Sequence, residues 1–295
     1  MWPLEALVLV VSLSIWGFIG FSLKKQYRYA TQFFDMLFFF PVLAVLALIA
    51  FIITVYLLLN QTSALLITCT FSVVCFILLY HLVKWVTDYS IFNYKRFLKN
   101  ISTDQFSIIS FQDYTESRID FDRINVFIRH DVDISLKRTR KMVEVEKEMG
   151  IYSTYLFRLH AEKYTFEEAI PIIRQLSNEG FEIGLHYETL AVAKGNRSKA
   201  IELLVHDIER LRKITPIRVV AAHGQKNYRN RDIWIDMDKE ELEVSSAYEM
   251  KYDLYLSDAG GKRLRDKDGK YLFDRVYEAK PGDIVQVLIH PDWWF

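Results

Sequence analysis

Three apolar runs within the first 87 residues set the strongest limit on how this chain can fold. Residues 4–23, 36–59 and 63–87 are each close to the ~20 residues that a membrane-spanning helix needs. The expected organisation is therefore a membrane region with three transmembrane helices over 1–87, a polar linker over 88–120 and a globular domain over 121–295. The first run follows an acidic start, MWPLE, and its basic residues come after it, so it is not patterned as a cleaved signal peptide. Lys24, Lys25 and Arg28 lie between the first two runs, and Lys84, Lys95, Arg96 and Lys99 lie at or after the end of the third. The Asn60 to Thr62 turn carries no cation, so the positive-inside rule places the C-terminal domain in the cytoplasm, at an inner or plasma membrane. Pro41 and His81 read as packing or interfacial residues of the spans.

Composition narrows the function classes. Basic and acidic residues balance at 37 each, which leaves no excess charge for nucleic-acid binding. Cys69 and Cys75 both fall in the third apolar run, so no disulfide framework is expected in the globular part. There the pattern alternates. INVFIRH, STYLFRL, FEIGLHY, IRVVAAH and IVQVLIH read as strands, whereas KRTRKMVEVEKEM, FEEAIPIIRQLSN and KAIELLVHDIERLRKI have amphipathic helical spacing. Such alternation implies an α/β domain with a mostly parallel sheet, and about 170 residues is short for a full eight-stranded barrel.

Chemistry collects where the strand-like runs end. VFIRHDVD closes on Asp131 and Asp133, whose spacing puts both carboxylates on one side of an extended chain. Asp133 could equally cap the helix that follows. His186 ends FEIGLH and precedes Glu188, His223 ends RVVAAH, Asp258 follows LYLS, and His290 ends VQVLIH. Imidazole and carboxylate together are a ligand set for a divalent metal such as zinc. His160 begins a loop that could touch substrate, and His206 lies on a helix surface.

In their order, RHDVD, EIGLHYE, AHG, SDAGG and IHPDWW resemble the five motifs of the NodB-homology polysaccharide deacetylases, carbohydrate esterase family 4, and most of all a branch found in O-antigen and surface-polysaccharide clusters. The resemblance covers about residues 124–295. It implies a deformed (β/α) barrel of about seven strands and a metal-dependent hydrolase acting on an N-acyl amino sugar. Asp131 matches the family's general base, Asp133 and His186 match metal ligands, and His290 matches the acid that protonates the leaving amine, with Asp258 as its partner. Where the family has a second metal histidine, this chain has Leu190. His223 is the expected replacement, with Glu188 the weaker one. An AHG sequence stands where relatives offer an arginine, which leaves Arg129 to orient Asp131. Zinc is the first expectation for the cofactor, with cobalt, nickel or manganese as alternatives. The substrate expected at that membrane face is a nucleotide-linked or polyprenyl-phosphate-linked sugar. Trp293 and Trp294 could wall a sugar face or fill the core. The competing readings are an inactive deacetylase-like scaffold that binds a glycan or a glycosyltransferase, and a metal phosphoesterase.

Overall fold

A computed structural model describes residues 88–237, 242–261 and 264–294. The three expected spans lie outside these residues, and among the described residues no helix is long and apolar enough to cross a membrane. Tyr89 to Phe295 forms one compact unit.

This unit begins earlier than the sequence pattern suggested. Residues 88–120, expected as a polar linker, carry helix α1 (Ile91–Ile101), strand β1 (Phe106–Ile109) and helix α2 (Phe111–Thr115). In α1, Tyr94, Phe97, Leu98 and Ile101 recur at helical spacing and are buried, and the Ser90 side chain accepts the Asn93 N–H at the N-cap. A capping box of Ser110 and Asp113 opens α2.

Strand β2 (Ile124–Val132) is buried at all nine positions. It is followed by α3 (Leu136–Glu148), β3 (Thr154–Phe157), α4 (Phe166–Asn178), β4 (Glu182–Tyr187), α5 (Thr189–Val192), α6 (Arg197–Arg212), β5 (Val219–Ala222), α7 (Asp232–Asp236), β6 (Ser245–Ser246), β7 (Leu254–Ser257) and β8 (Ile284–Ile289). The strands form one sheet in the order β6-β5-β4-β3-β2-β8-β7, with β1 also on β2. Every ladder is parallel. Residues 125–130 of β2 pair with β8 along one edge. The other edge is shared, β1 taking 124–127 and β3 taking 129–132.

The sheet is curled rather than flat. Three strand spacings, about 14 Å in a flat sheet, would separate β2 from β5. Yet Phe127 of β2, Leu156 of β3 and Val219 and Ala221 of β5 share one apolar cluster. Among the described residues β6 and β7 do not pair, so the seven-strand path is a half-barrel and not the closed ring that a barrel requires. Gly184 shows how tight the interior is. A Cβ there would lie 2.2 Å from Leu156 Cδ2 and 2.6 Å from the Val219 carbonyl oxygen, so no larger residue fits.

The convex face is covered by helices. Val132, Tyr155, Phe157, Ile183, Leu185 and Val220 pack there against Ile172 and Leu176 of α4 and Leu204 and Ile208 of α6. Burying each such Leu or Ile side chain contributes about 1.5–3 kcal/mol before entropy is counted. His130 also belongs to this face. Its Nε2 lies 2.7 Å from Glu146 Oε1, and its ring stacks on Tyr155 at 4.3 Å. Glu146, fully buried, also accepts from Ser153 Oγ, Tyr155 OH and Tyr94 OH, which meets the need of a buried carboxylate for donors.

Candidate active site

Period-two geometry along β2 sends Arg129 and Asp131 inward and His130 outward. His130 therefore cannot stand in for Asp131 as a base. Asp133 lies one residue past β2, His223 one past β5, Asp258 one past β7 and His290 one past β8, while His186 is within β4. All occupy the C-terminal rim of a parallel sheet, where loops converge over the strand ends.

Asp133, His186 and His223 each offer one ligand atom, and the three atoms lie within 4.8 Å of one another. His186 Nε2 is 3.5 Å from Asp133 Oδ1, and His223 Nε2 is 3.8 Å from the same oxygen. His186 Nδ1 lies 3.1 Å from the Ala221 carbonyl oxygen, an acceptor, so Nδ1 carries the hydrogen and Nε2 presents its lone pair. Burial pushes the His186 imidazole down to about 4, against the pull of Asp131 and Asp133, so it is neutral at pH 7. Asp133 Oδ1 is buried without a hydrogen-bond partner. An orphaned carboxylate oxygen facing two imidazole nitrogens is a donor set that fits a divalent ion.

Leu190 offers no ligand. It packs in the convex-side apolar cluster with Tyr187 and Ala193. Glu188 does not join the ligand atoms either. Arg158 Nε donates to Glu188 Oε1 at 2.9 Å and Arg158 Nη2 donates to Glu188 Oε2, both side chains being buried. Glu188 Oε2 stands 3.3 Å behind His223 Nδ1, close enough for contact but without hydrogen-bond geometry. Burial opposes the charge on Glu188, but His223 and Arg158 hold its carboxyl below the usual range. Arg158 Nη1 also donates to the Asp133 carbonyl at 3.3 Å, so one guanidinium ties the backbone of one candidate ligand to the support of another.

Asp131 receives two parallel hydrogen bonds from Arg129, Nε to Oδ1 and Nη2 to Oδ2, both 2.7 Å. Although burial opposes ionisation, Arg129, His186 and His290 hold this carboxyl well below the usual carboxylate range. It is a proton acceptor in a fixed orientation, at some cost in basicity. Its Oδ2 lies 3.4 Å from His186 Nε2, so it borders the ligand cluster.

His290 Nδ1 lies 2.6 Å from Asp258 Oδ1, and its backbone N–H donates to Asp258 Oδ2 at 2.8 Å. Burial disfavours the imidazolium, but Asp258, with Asp133 and Asp131 further off, overrides this and pushes the pKa up to about 10. A histidine so placed is protonated at neutral pH and can act as an acid. Trp294 Nε1 donates to Asp258 Oδ2 at 3.2 Å from within a cage of Tyr89, Tyr94 and Phe273. Trp294 is thus a core residue that steadies the dyad and not a substrate wall. Trp293 lies against Gly261, where an added Cβ would be 2.3 Å from the indole.

Sequence reasoning missed Asp292 and Arg158. Asp292 accepts the backbone N–H groups of Asp133, Ile134 and Ser135, at 3.2, 3.1 and 2.6 Å, and so shapes the turn that carries Asp133. Burial, with Asp133 beside it, pushes its carboxyl up to about 7. Helix α3 is capped by Ser135, not by Asp133. His160 turns to Asp207 of α6 at 2.7 Å instead of facing the rim, and His206 is exposed on α6 as expected.

No family model and no curated protein matches this chain. Solved structures do. The Bc1960 peptidoglycan N-acetylglucosamine deacetylase is 16% identical, with 58% of this chain and 74% of that chain covered and a TM-score of 0.40. The peptidoglycan deacetylase PdaC from Bacillus subtilis is 17% identical, with 59% and 77% covered and a TM-score of 0.40. A family 4 carbohydrate esterase pseudoenzyme from Bacillus anthracis, BA3943, is 16% identical, with 56% and 54% covered and a TM-score of 0.38. Likenesses of this strength assign no activity to the chain.

Proposed function

We propose that this domain is a metal-dependent hydrolase that removes the acyl group, acetyl or formyl, from an N-acyl amino sugar. One observation carries the reading. A clustered Asp133–His186–His223 set stands beside an ionised carboxylate clamped by Arg129 and a protonated His290 held by Asp258. The ordered motifs from RHDVD to IHPDWW support the sugar amide as substrate.

A divalent ion, zinc first, would be held by Asp133, His186 and His223 and would supply a Lewis acid for water and the amide carbonyl. Asp131 accepts a proton from the attacking water, and Arg129 keeps the carboxylate aimed while it does so. His290 then gives its Nε2 proton to the departing nitrogen, and Asp258 stabilises the charge that His290 holds beforehand. Arg129, Asp131 and Asp258 are buried, and His290 is only partly exposed, so bulk water competes little for these hydrogen bonds.

The apolar runs and their basic flanks support a domain tied to the inner membrane face. The substrate met there is a lipid-linked or nucleotide-linked sugar in surface-glycan assembly. The test uses the full chain in a nonionic detergent, loaded with zinc, with N-acetyl and N-formyl amino sugars offered as 1-phosphates and as nucleotide conjugates. NMR detection of acetate or formate, absent with Asp131→Asn, is the expected result. A chain that binds no metal and releases no acid would be the inactive scaffold instead.

A further inference from the structure

The loop that leaves β5, from His223 to Arg231, contains Lys226, Arg229 and Arg231 and no acidic residue. All three cations are exposed. The chain as a whole is neutral, so this local excess does not follow from general basicity. Arg229 has a long contact with Asp232, 3.5 Å, whereas Lys226 and Arg231 make no ion pair among the described residues.

Arg231 is placed, not loose. Its guanidinium carbon lies 4.6 Å from the ring centroid of Tyr248, and that of Arg129 lies 5.5 Å from the same ring. Tyr248 in turn donates its hydroxyl hydrogen to the Ala222 carbonyl at 2.9 Å, at the end of β5, while the residue stays 36% exposed. One aromatic ring is therefore in contact with both an exposed guanidinium that makes no ion pair among the described residues and the guanidinium that clamps Asp131. An arginine held by an aromatic face keeps its planar N–H fork for a partner, and that fork matches a phosphoryl group with two parallel charge-assisted hydrogen bonds.

We propose that Arg231, on its Tyr248 platform and with Lys226 in the same loop, forms a subsite for the phosphoryl group of the substrate, next to the site of amide cleavage. This rests on the hydrolase reading and adds the residues that would recognise the linkage. The phosphoryl group could belong to a lipid diphosphate or to a nucleotide diphosphate, and the two share this chemistry.

The test is calorimetric titration of the full chain in a nonionic detergent at low salt, after metal chelation so that no ion competes for the probe. Inorganic pyrophosphate is the first probe. Saturable binding is expected, with Arg231→Ala at least tenfold weaker and Arg231→Lys, which keeps charge but loses the fork, in between. Lys147→Ala removes an exposed cation that pairs with Glu179 instead, and it should bind as the parent does. Equal binding by Arg231→Ala and the parent would overturn the proposal, as would equal weakening by Lys147→Ala. Geranyl diphosphate and uridine diphosphate are then compared, and a preference lost in Arg231→Ala assigns the lipid or the nucleotide source. If pyrophosphate binding follows this pattern while no amide is cleaved, the hydrolase reading fails and the subsite stands.

Discussion

Replacing Glu188 by Gln should weaken metal binding without removing a ligand. The side chain is 3% exposed, receives two hydrogen bonds from Arg158 and stands 3.3 Å behind His223 Nδ1. Gln has the same size but no charge, and its amide must turn an NH2 group toward either the Arg158 guanidinium or the His223 N–H, both donors. Loss of a partner behind a ligating histidine typically costs about 10–100-fold in affinity. At about 1.4 kcal/mol per decade that is about 1.4–2.8 kcal/mol. Removing one member of a buried ion pair costs about 3–5 kcal/mol. Here Arg158 keeps the Asp133 carbonyl and Glu162 as partners, so the loss of stability should stay below about 3 kcal/mol. For a unit near 200 residues this corresponds to a fall in melting temperature of under roughly 12 °C. Zinc competition against a fluorescent chelator, with thermal melts on the same samples, reads both quantities. His223→Ala should lose far more affinity than Glu188→Gln. Affinity within twofold of the parent in Glu188→Gln would refute the support role, and unchanged affinity in His223→Ala would refute the ligand set.

Asp131→Asn should cut amide hydrolysis by about 10²–10⁴-fold while metal content stays near normal, whereas His186→Ala should lose the metal; elemental analysis beside a turnover assay separates them. His290 has a folded pKa raised to about 10, so its pairing with Asp258 stabilises the fold fully below an unfolded value of ~6.5, and this stabilisation is lost as pH rises through about 10. In the chelated full chain, Asp258→Asn should therefore flatten the decline of melting temperature between neutral pH and pH 10, and a parallel decline in both proteins would count against the dyad. For topology, a reporter fused after Phe295 should behave as cytoplasmic and one in the Asn60 to Thr62 turn as external; labelling of the globular domain by an impermeant reagent in intact cells would reverse the assignment.

The helices and inner strands were legible because their periodicities are clean: β2, β3, β4, β5 and β8 fall on the apolar runs that suggested them. Within β2, it is the packing of His130 on Glu146 and Tyr155 that separates it from Asp131. The segment 88–120 was misread because β1 is four residues long and α1 shows four buried positions among lysines and an arginine, so neither stands out locally. Only the pairing of β1 with the lower edge of β2 gives it a role. At the site, the residues at strand ends were visible, as were Arg129 and Asp258 that hold two of them, while Asp292 and Arg158 were not. Asp292 acts on backbone N–H groups 157 to 159 residues away, and Arg158 ends what reads as an ordinary strand. Such contacts depend on which loops the curled sheet brings together, and no local pattern encodes that.

The position of β8 has a consequence for how the protein is made. It lies inside the sheet, between β2 and the edge strand β7, yet it follows every other strand in the chain. Its ladder with β2 joins residues about 160 apart, from Asn125 and Ile284 to His130 and Ile289. Contacts of such sequence separation form late and slowly. Until they form, β2 has an open edge of apolar residues, which is a site for intermolecular pairing. The next residue after β8 is His290, so the strand that seals this edge also delivers the proposed acid. During synthesis, closure of the sheet and assembly of the proposed chemistry are therefore one event, and a chain that stops before Ile284 should be both aggregation-prone and inert.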